Sequence, residues 1–418
     1  MDDIRCDVVV VGGGPAGIAA ATCAAEQGAS TLLVDDNPRL GGQIWRSPLA
    51  AEPPRAAKAW IARFATSGAK ALCGLRIVDR DGEHTLIGES ATSTHRIAFS
   101  QVILATGARE RLLPFPGWTL PNVLAAGGLQ ALVKAGAPIE GKRVAIAGTG
   151  PLLLAVAQYL KKQAANVVCI AEQASWPQVA AFGMSLWSSP SRLWQAITMG
   201  GLAADIRFGC WPVAARGSST LEAVEFLGPR GRFTVPCDYM ACSFGLVPNL
   251  ELPRLLGCDV RDGFVRVDEW QRTSVENVYC AGEPTGIGGV DSALCEGQIA
   301  GLSAARQEKK AQVFFSRRRS GRRFEALLRA TFALRSELRD LCQAETIVCR
   351  CEDVPSSRLR GLTGWREAKL QTRCGMGACQ GRVCGASTEF LFGWQAVNTR
   401  SPIFPARVET LSDRVVAN

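Results

Sequence analysis

From Cys6 to Val11 the chain is a β-branched run without the alternation of a half-exposed strand. This is the pattern of a parallel strand covered on both faces. An alanine-rich stretch predicts a helix to about Gln27, and TLLVD predicts a second strand ending at Asp35. The same order returns in GKRVAIAGTGPLLLAVAQYLKKQAANVVCIAE: strand, glycine turn, helix, and a strand ending at Glu172. Three further strands stand apart from these units. QVIL runs into Ala105, Thr106 and Gly107, and CDYMACSFGLVPN (Cys237 to Asn249) returns the chain from the second unit. VENVYC leads into a loop carrying Glu283 and a helix starting near Gly289. From Gln307 to Gln343 the chain is charged and helical, and a short apolar strand then leads into a cysteine-rich end. Strands alternating with helices predict an α/β fold with two nucleotide-type units.

A length of 418 residues suits two to four domains. No apolar run approaches the roughly 20 residues that span a bilayer. The start, MDDIRCDVVVVGGG, is acidic where a secretory signal is basic. A cytoplasmic location is therefore expected, and with it reduced thiols: the 16 cysteines are not expected to form a disulfide framework. Cys23, Cys169 and Cys242 lie singly in apolar stretches and read as small core residues. Much of the net charge of +9 comes from SRRRSGRR (Ser316 to Arg323), expected to be a solvated linker. Nucleic acid is a poor fit, because no aromatic residues interleave with that run. The only histidines, His84 and His95, fall in a segment that reads as a peripheral hairpin, which points away from histidine-based hydrolysis and toward chemistry carried by cofactors.

The first unit holds G-x-G-x-x-G at Gly12, Gly14 and Gly17, with Pro15 and Ala16 inside it, and an acid, Asp35, 18 residues after the last glycine. Bare backbone there can approach a pyrophosphate at a helix N-terminus, and the acid accepts ribose hydroxyls, so a bound dinucleotide is expected. In the second unit Gly148 and Gly150 are followed by Leu153 in place of the third glycine, with Glu172 as the acid. Three readings stay open for it: NAD(P)H as a working substrate, a retained adenine nucleotide such as ATP or ADP, or an empty relic.

The clustered cysteines are Cys349-x-Cys351 and Cys374-x4-Cys379-x4-Cys384. Four thiolates suit a [2Fe-2S] cluster. Structural zinc favours C-x2-4-C pairs, and a Cys379–Cys384 disulfide is disfavoured in a reducing compartment. Gly375, Gly377 and Gly381 leave backbone N–H groups for cluster sulfurs, and Arg350, Arg373 or Arg382 can offset its negative charge.

DDNPRLGGQIWR, GEPTGIGGVDSALCEG and CGMGACQGRVC resemble the FAD-containing α subunits of heteromeric, dye-linked amine and imino-acid dehydrogenases. That family includes D-hydroxyproline dehydrogenase, opine oxidase, L-proline dehydrogenase and the middle subunit of hydrogen cyanide synthase. The resemblance covers essentially the whole chain and implies a two-dinucleotide-binding-domain flavoprotein, an FAD half plus an inserted NAD-like domain, with a small C-terminal ferredoxin-like [2Fe-2S] module. The boundaries it implies are 1–118 and 245–306 for the FAD half, 119–244 for the inserted domain, 307–344 for a basic helical linker, 345–395 for the module and 396–418 for a tail. FAD is expected against the first glycine motif, Asp35 and Asp36, Gly42 and Gln43, Ala105 to Gly107, Gly282, Glu283, Gly289 and Val290. In the two-dinucleotide-domain reductases that these FAD segments resemble, an aspartate stands where this chain has Glu283. Comparison with the ferredoxin-like modules of related flavoproteins gives Cys349, Cys351, Cys379 and Cys384 as ligands, with Cys374 a neighbouring thiol. Dithiol reductases of this architecture carry a cysteine pair beside the flavin, and this chain has none there, so its flavin must pass electrons elsewhere. The implied function is an electron relay from a D-amino-acid-oxidase-like β subunit with its own FAD to a quinone or carrier at the inner membrane face. An FMN at a subunit interface and a small ferredoxin-like γ subunit occur in several members. The competing readings are a self-contained NAD(P)H-dependent reductase and a non-catalytic assembly subunit.

Overall fold

The computed structural model describes residues 2–46, 54–186, 206–395 and 399–412. The chain divides into two units, one of Met1–Arg109, Pro248–Ala326 and Asn398–Asn418, the other of Glu110–Val247 and Leu327–Val397.

The first unit opens with β1 (Asp2–Val11), α1 (Pro15–Ala25), β2 (Thr31–Asp35), α2 (Arg55–Thr66), β3 (Lys70–Cys73), β4 (Arg76–Arg80), β5 (Thr85–Glu89) and β6 (Thr94–Leu104). The strands lie in the order β3-β2-β1-β6-β5-β4. β1 pairs in parallel with both β2 and β6, whereas β5 runs antiparallel to β6 and β4. The unalternated apolar run now has its physical reason. Val9 and Val11 enter one core with Leu32, Val34 and Leu104. Val8 and Val10 enter another with Leu33, Ile103 and the alanines of α1. Each such valine contributes roughly 1.5–3 kcal/mol of burial before chain entropy is counted. His84, exposed, lies in the turn between the antiparallel β4 and β5, and His95 lies on β6, half-buried beside Asp2.

The second unit contains β7 (Val123–Ala125), α3 (Ala126–Lys134), β8 (Arg143–Gly148), α4 (Pro151–Lys162), β9 (Asn166–Glu172), α5 (Trp176–Ser185) and β10 (Ile206–Phe208). β11 (Trp211–Arg216), β12 (Ala223–Gly228) and β13 (Gly231–Pro236) form a three-stranded antiparallel sheet, after which comes β14 (Tyr239–Ser243). The parallel sheet has the order β10-β9-β8-β14-β7.

The chain then returns to the first unit. β15 (Val278–Cys280) pairs in parallel with β6. α6 (Gly289–Ala304) is buried from Ser292 to Ala304. It packs closely on α1 because Gly297 and Gly301 lack side chains: a β-carbon on either would lie 2.2 Å from a backbone oxygen, that of Ala16 or Ala20. The basic run lies on α7 (Phe315–Thr331), and it is only partly solvated. Arg322 Nη2 lies 2.9 Å from Glu296, which is 2% exposed, and Arg318 Nη2 donates to the Asp268 carbonyl at 2.8 Å. A carboxylate buried in α6 requires a cation beside it, and this draws part of the expected linker inward. Arg317, Arg319 and Arg323 remain exposed.

The C-terminal segment forms β16 (Ile347–Cys349), β17 (Val354–Pro355), α8 (Trp365–Thr372) and α9 (Cys384–Phe392). It shares the second unit's core. Trp118 Nε1 donates to the Ile347 carbonyl at 2.6 Å, Ser387 Oγ donates to the Leu112 carbonyl at 2.5 Å, and Val383 and Phe390 pack with Leu113, Phe115 and Phe244. In the first unit, the described tail residues include Ile403, 4% exposed, whose N–H donates to Val78. No helix among the described residues is long and apolar enough to cross a membrane.

Candidate functional site

The first glycine turn joins β1 to α1. Gly12 has φ +111°, and a β-carbon there would lie 2.2 Å from the Ala105 carbonyl oxygen; one on Gly17 would lie 1.7 Å from the Gly12 oxygen. Both glycines are therefore required by close approach of backbone to backbone. Gly14 caps α1, Pro15 occupies its first turn, and Ala16 is buried. Among the described residues, the atom that a β-carbon on Gly14 would meet is the α-carbon of Gly42, 4.0 Å away. Asp35, at the end of β2, accepts the Gly13 N–H and both nitrogens offered by Asn37. Asp36 is directed to Arg76 at 3.4 Å, and Gln43 is exposed with Arg46 on its amide oxygen.

Ala105, Thr106 and Gly107 come to the same turn from the end of β6. Ala105 N–H donates to Val11, and Thr106 exchanges hydrogen bonds with Asn249. Glu283 reaches this segment too: its carboxylate lies 3.7 Å from a β-carbon position on Gly107 and accepts the Ala108 N–H, while burial raises its pKa. Gly282 N–H donates to Glu296 at 2.9 Å, and the Thr285 hydroxyl does so at 2.6 Å. Gly289, φ +76°, begins α6 in open space, with Val290 half-buried beside it. Sequence reasoning missed Glu296, Gly297 and Gly301. Their signal was present as a glycine pair four apart on a helix, with an acid next to the first of them.

This cradle fits an FAD. Its glycines clear the approach to α1, its acid stands at the end of β2, and a second helix begins at Gly289, whose β-carbon position is open.

The second turn, between β8 and α4, repeats part of this plan. Gly148 has φ +133° and its β-carbon would lie 1.8 Å from the Ser243 oxygen. Glu172 accepts from the Thr149 hydroxyl and from the Gly150 and Ala174 N–H groups at 2.7–2.8 Å. Burial pushes its pKa up to about 7. Leu153, in the third glycine's place, is 1% exposed in the core between α4 and the sheet. A core side chain thus stands where the first turn has its third glycine.

All five clustered cysteines meet in the second unit, and all are free thiols. The sulfurs of Cys349, Cys374 and Cys384 lie within 4.8 Å of one another and are buried. Cys379, half-buried, shares hydrogen bonds with Cys384 and with exposed Cys351. The four expected ligands are thus linked through their sulfurs, and Cys374 stands directly against two of them. Gly375 N–H donates to Cys349 Sγ at 3.5 Å, and the Gly381 and Val383 N–H groups donate to Cys379. Neighbouring thiols hold the Cys349 and Cys379 pKa values down and push that of Cys384 up. Gly375 and Gly381 also make room for the Trp365 ring, which a β-carbon on either would strike at 2.5 or 2.7 Å. A β-carbon on Gly377 would strike Cys351 at 2.3 Å. Arg373 pairs with Glu352 at 2.7 Å, Arg382 bonds Gln380 at 2.8 Å, and Arg350 lies 6.0 Å from the Trp118 ring. All-sulfur donors and converging N–H groups fit a thiophilic metal centre.

Comparison with known proteins adds four findings. Residues 6–308 match the pyridine nucleotide-disulphide oxidoreductase family. An opine oxidase subunit from Agrobacterium tumefaciens (strain Ach5) is 31% identical, with 97% of this chain and 91% of that protein covered. Hydrogen cyanide synthase subunit HcnB of Pseudomonas aeruginosa is also 31% identical, with 90% of each covered. Among solved structures, L-proline dehydrogenase from P. horikoshii superposes with a TM-score of 0.72 at 18% identity, over 98% of this chain and 80% of that one.

Proposed function

The chain belongs to the pyridine nucleotide-disulphide oxidoreductase family, and from that premise we propose that this oxidoreductase is the electron-transfer subunit of a heteromeric amine or imino-acid dehydrogenase, of the opine oxidase or D-hydroxyproline dehydrogenase type. Family membership implies FAD, held in this reading by the first glycine turn, Asp35, the Ala105–Gly107 segment and Glu283. The C-terminal module would hold a [2Fe-2S] cluster on Cys349, Cys351, Cys379 and Cys384. When bound, the flavin accepts two electrons and the cluster carries them one at a time.

The observation that carries the reading is the gathering of five free thiols, with backbone donors, in a module fixed into the second unit's core. Such a set of thiols and donors supports a redox centre other than a flavin-side dithiol. The chain's own residues then have positioning roles. Glu283 accepts a hydrogen bond at the end of the β6 segment, Glu296 orders the Gly282–Thr285 loop before α6, and Gly375 and Gly381 aim N–H groups at sulfur. Substrate oxidation would take place on a D-amino-acid-oxidase-like β subunit with its own FAD. Electrons would leave for a quinone or carrier, and the assembly would be completed by an FMN and a small ferredoxin-like γ subunit.

Mass spectrometry of co-purified subunits and released cofactors, with iron analysis and electron paramagnetic resonance, tests this. Cys379→Ser and Cys384→Ser should abolish the reduced-cluster signal, and Cys374→Ser should retain it. Loss of signal in Cys374→Ser with retention in Cys351→Ser would move the ligand set to the buried three thiols and Cys379. Full-rate oxidation of an imino acid by the isolated chain with an artificial dye would defeat the relay reading.

A further inference from the structure

We infer that Phe332 closes the second glycine turn, so that this chain rejects NAD(P)H and adenine nucleotides there. The inference stands apart from the relay reading, since it concerns a different site and needs neither flavin chemistry nor the cluster.

The second glycine of a dinucleotide motif is where bare backbone comes against the pyrophosphate. At Gly150 that place faces the Phe332 ring, whose Cγ lies 4.0 Å from the position of a β-carbon. The ring packs against Phe182 of α5, edge to face at a centroid distance of 5.3 Å. The backbone after it is fastened as well. Gln173, fully buried and adjacent to Glu172, donates through Nε2 to the Ala333 carbonyl at 3.1 Å and accepts from the Arg335 N–H at 3.2 Å. The same Nε2 donates to the Thr149 hydroxyl at 3.0 Å, which ties this strap to the glycine turn itself. Arg335 is anchored further by its guanidinium, 5.1 Å from the Trp211 ring.

The elements a dinucleotide would use therefore have partners within the chain. An apolar ring with no hydrogen-bond donor stands at the pyrophosphate position. The Glu172 carboxylate accepts from Thr149, Gly150 and Ala174 much as Asp35 accepts from Gly13 and Asn37, so the ring and not the acid sets this turn apart from the first. An entering diphosphate would have to displace a packed aromatic ring and give up two strap hydrogen bonds before gaining any contact. Phe332 is in this sense a specificity-determining residue: it keeps reducing equivalents of the nicotinamide class from entering at this turn.

Isothermal titration of the flavin-saturated full chain with NADH, NADPH and ATP tests the closure, since flavin saturation excludes binding at the first turn. The wild-type chain should show no saturable binding up to millimolar nucleotide. Phe332→Ala should gain saturable binding of at least one of the three, and Phe332→Leu, which keeps an apolar plug, should not. If Phe332→Ala does not fold, Phe182→Ala, which removes the support of the ring, should give the gain. Saturable binding to the wild-type chain overturns the proposal, as does a folded opening variant that gains none.

Discussion

Gly12 and Gly148 do the same work. Each stands at the end of a central parallel strand with positive φ, and each would drive a β-carbon into the carbonyl at the end of a neighbouring strand, Ala105 in one unit and Ser243 in the other. Asp35 and Glu172 also match, each accepting backbone N–H groups of its own turn. The two turns part company two residues after these glycines. Gly14 faces the bare α-carbon of Gly42, Gly150 faces a phenyl ring, and the helix that Gly17 brings against β1 corresponds to one whose Leu153 is buried as core. Glycines that let strands pack are thus kept in both halves, while the conditions for meeting a ligand are met in one. A glycine motif reports strand packing first and ligand binding second.

The largest effect expected from breaking this comparison lies at Gly17. Gly17→Ala puts a β-carbon 1.7 Å from the Gly12 oxygen, so the purified protein should lack flavin absorbance and be less stable by ~3 kcal/mol or more in denaturant titration. Next comes Leu153→Gly, which restores the motif's third glycine on paper. Because Leu153 is core, stability should fall by about 2–5 kcal/mol, with no gain in NADH binding by titration calorimetry. Glu172→Gln follows. A carboxyl whose pKa is raised by folding, here to about 7, keeps its proton in the folded state after the unfolded chain has lost it. Its contribution is therefore present at low pH and lost as pH rises from the unfolded value through about 7. The wild type should lose up to about 3 kcal/mol across that window relative to Glu172→Gln, read from denaturation midpoints at several pH values. The smallest effect is expected from Glu283→Asp, which keeps an acceptor opposite the Ala108 N–H. Flavin affinity, followed by fluorescence of released flavin, should change by less than about tenfold.

The FAD half was legible because its signals are local. β1, the glycine turn and β2 appear where periodicity and glycine spacing placed them, with β2 ending at Asp35 as expected. Glu296 was not legible, because a lone acid in a helix looks like a solvated face until Arg322 and the Gly282 N–H are seen to converge on it. The same contact explains why SRRRSGRR could not be read correctly from composition: the partner of Arg322 lies 26 residues earlier in the chain. Among the cysteines, spacing separated the cluster from single core thiols such as Cys23, Cys169 and Cys242, all buried in the fold. Spacing left Cys374 unplaced. Only the approach of β16 to the start of α9 sets its sulfur against Cys349 and Cys384.

By itself the sequence determined the parallel α/β architecture, the first glycine turn with its acid, and the crowding of thiols near the C-terminus, because each depends on residues close together in the chain. The tertiary structure decided what each glycine turn faces, which arginines are buried, and where the fifth thiol lies. Those outcomes depend on contacts such as Phe332 with Gly150, Arg322 with Glu296 and Cys374 with Cys349, between segments that no local pattern joins.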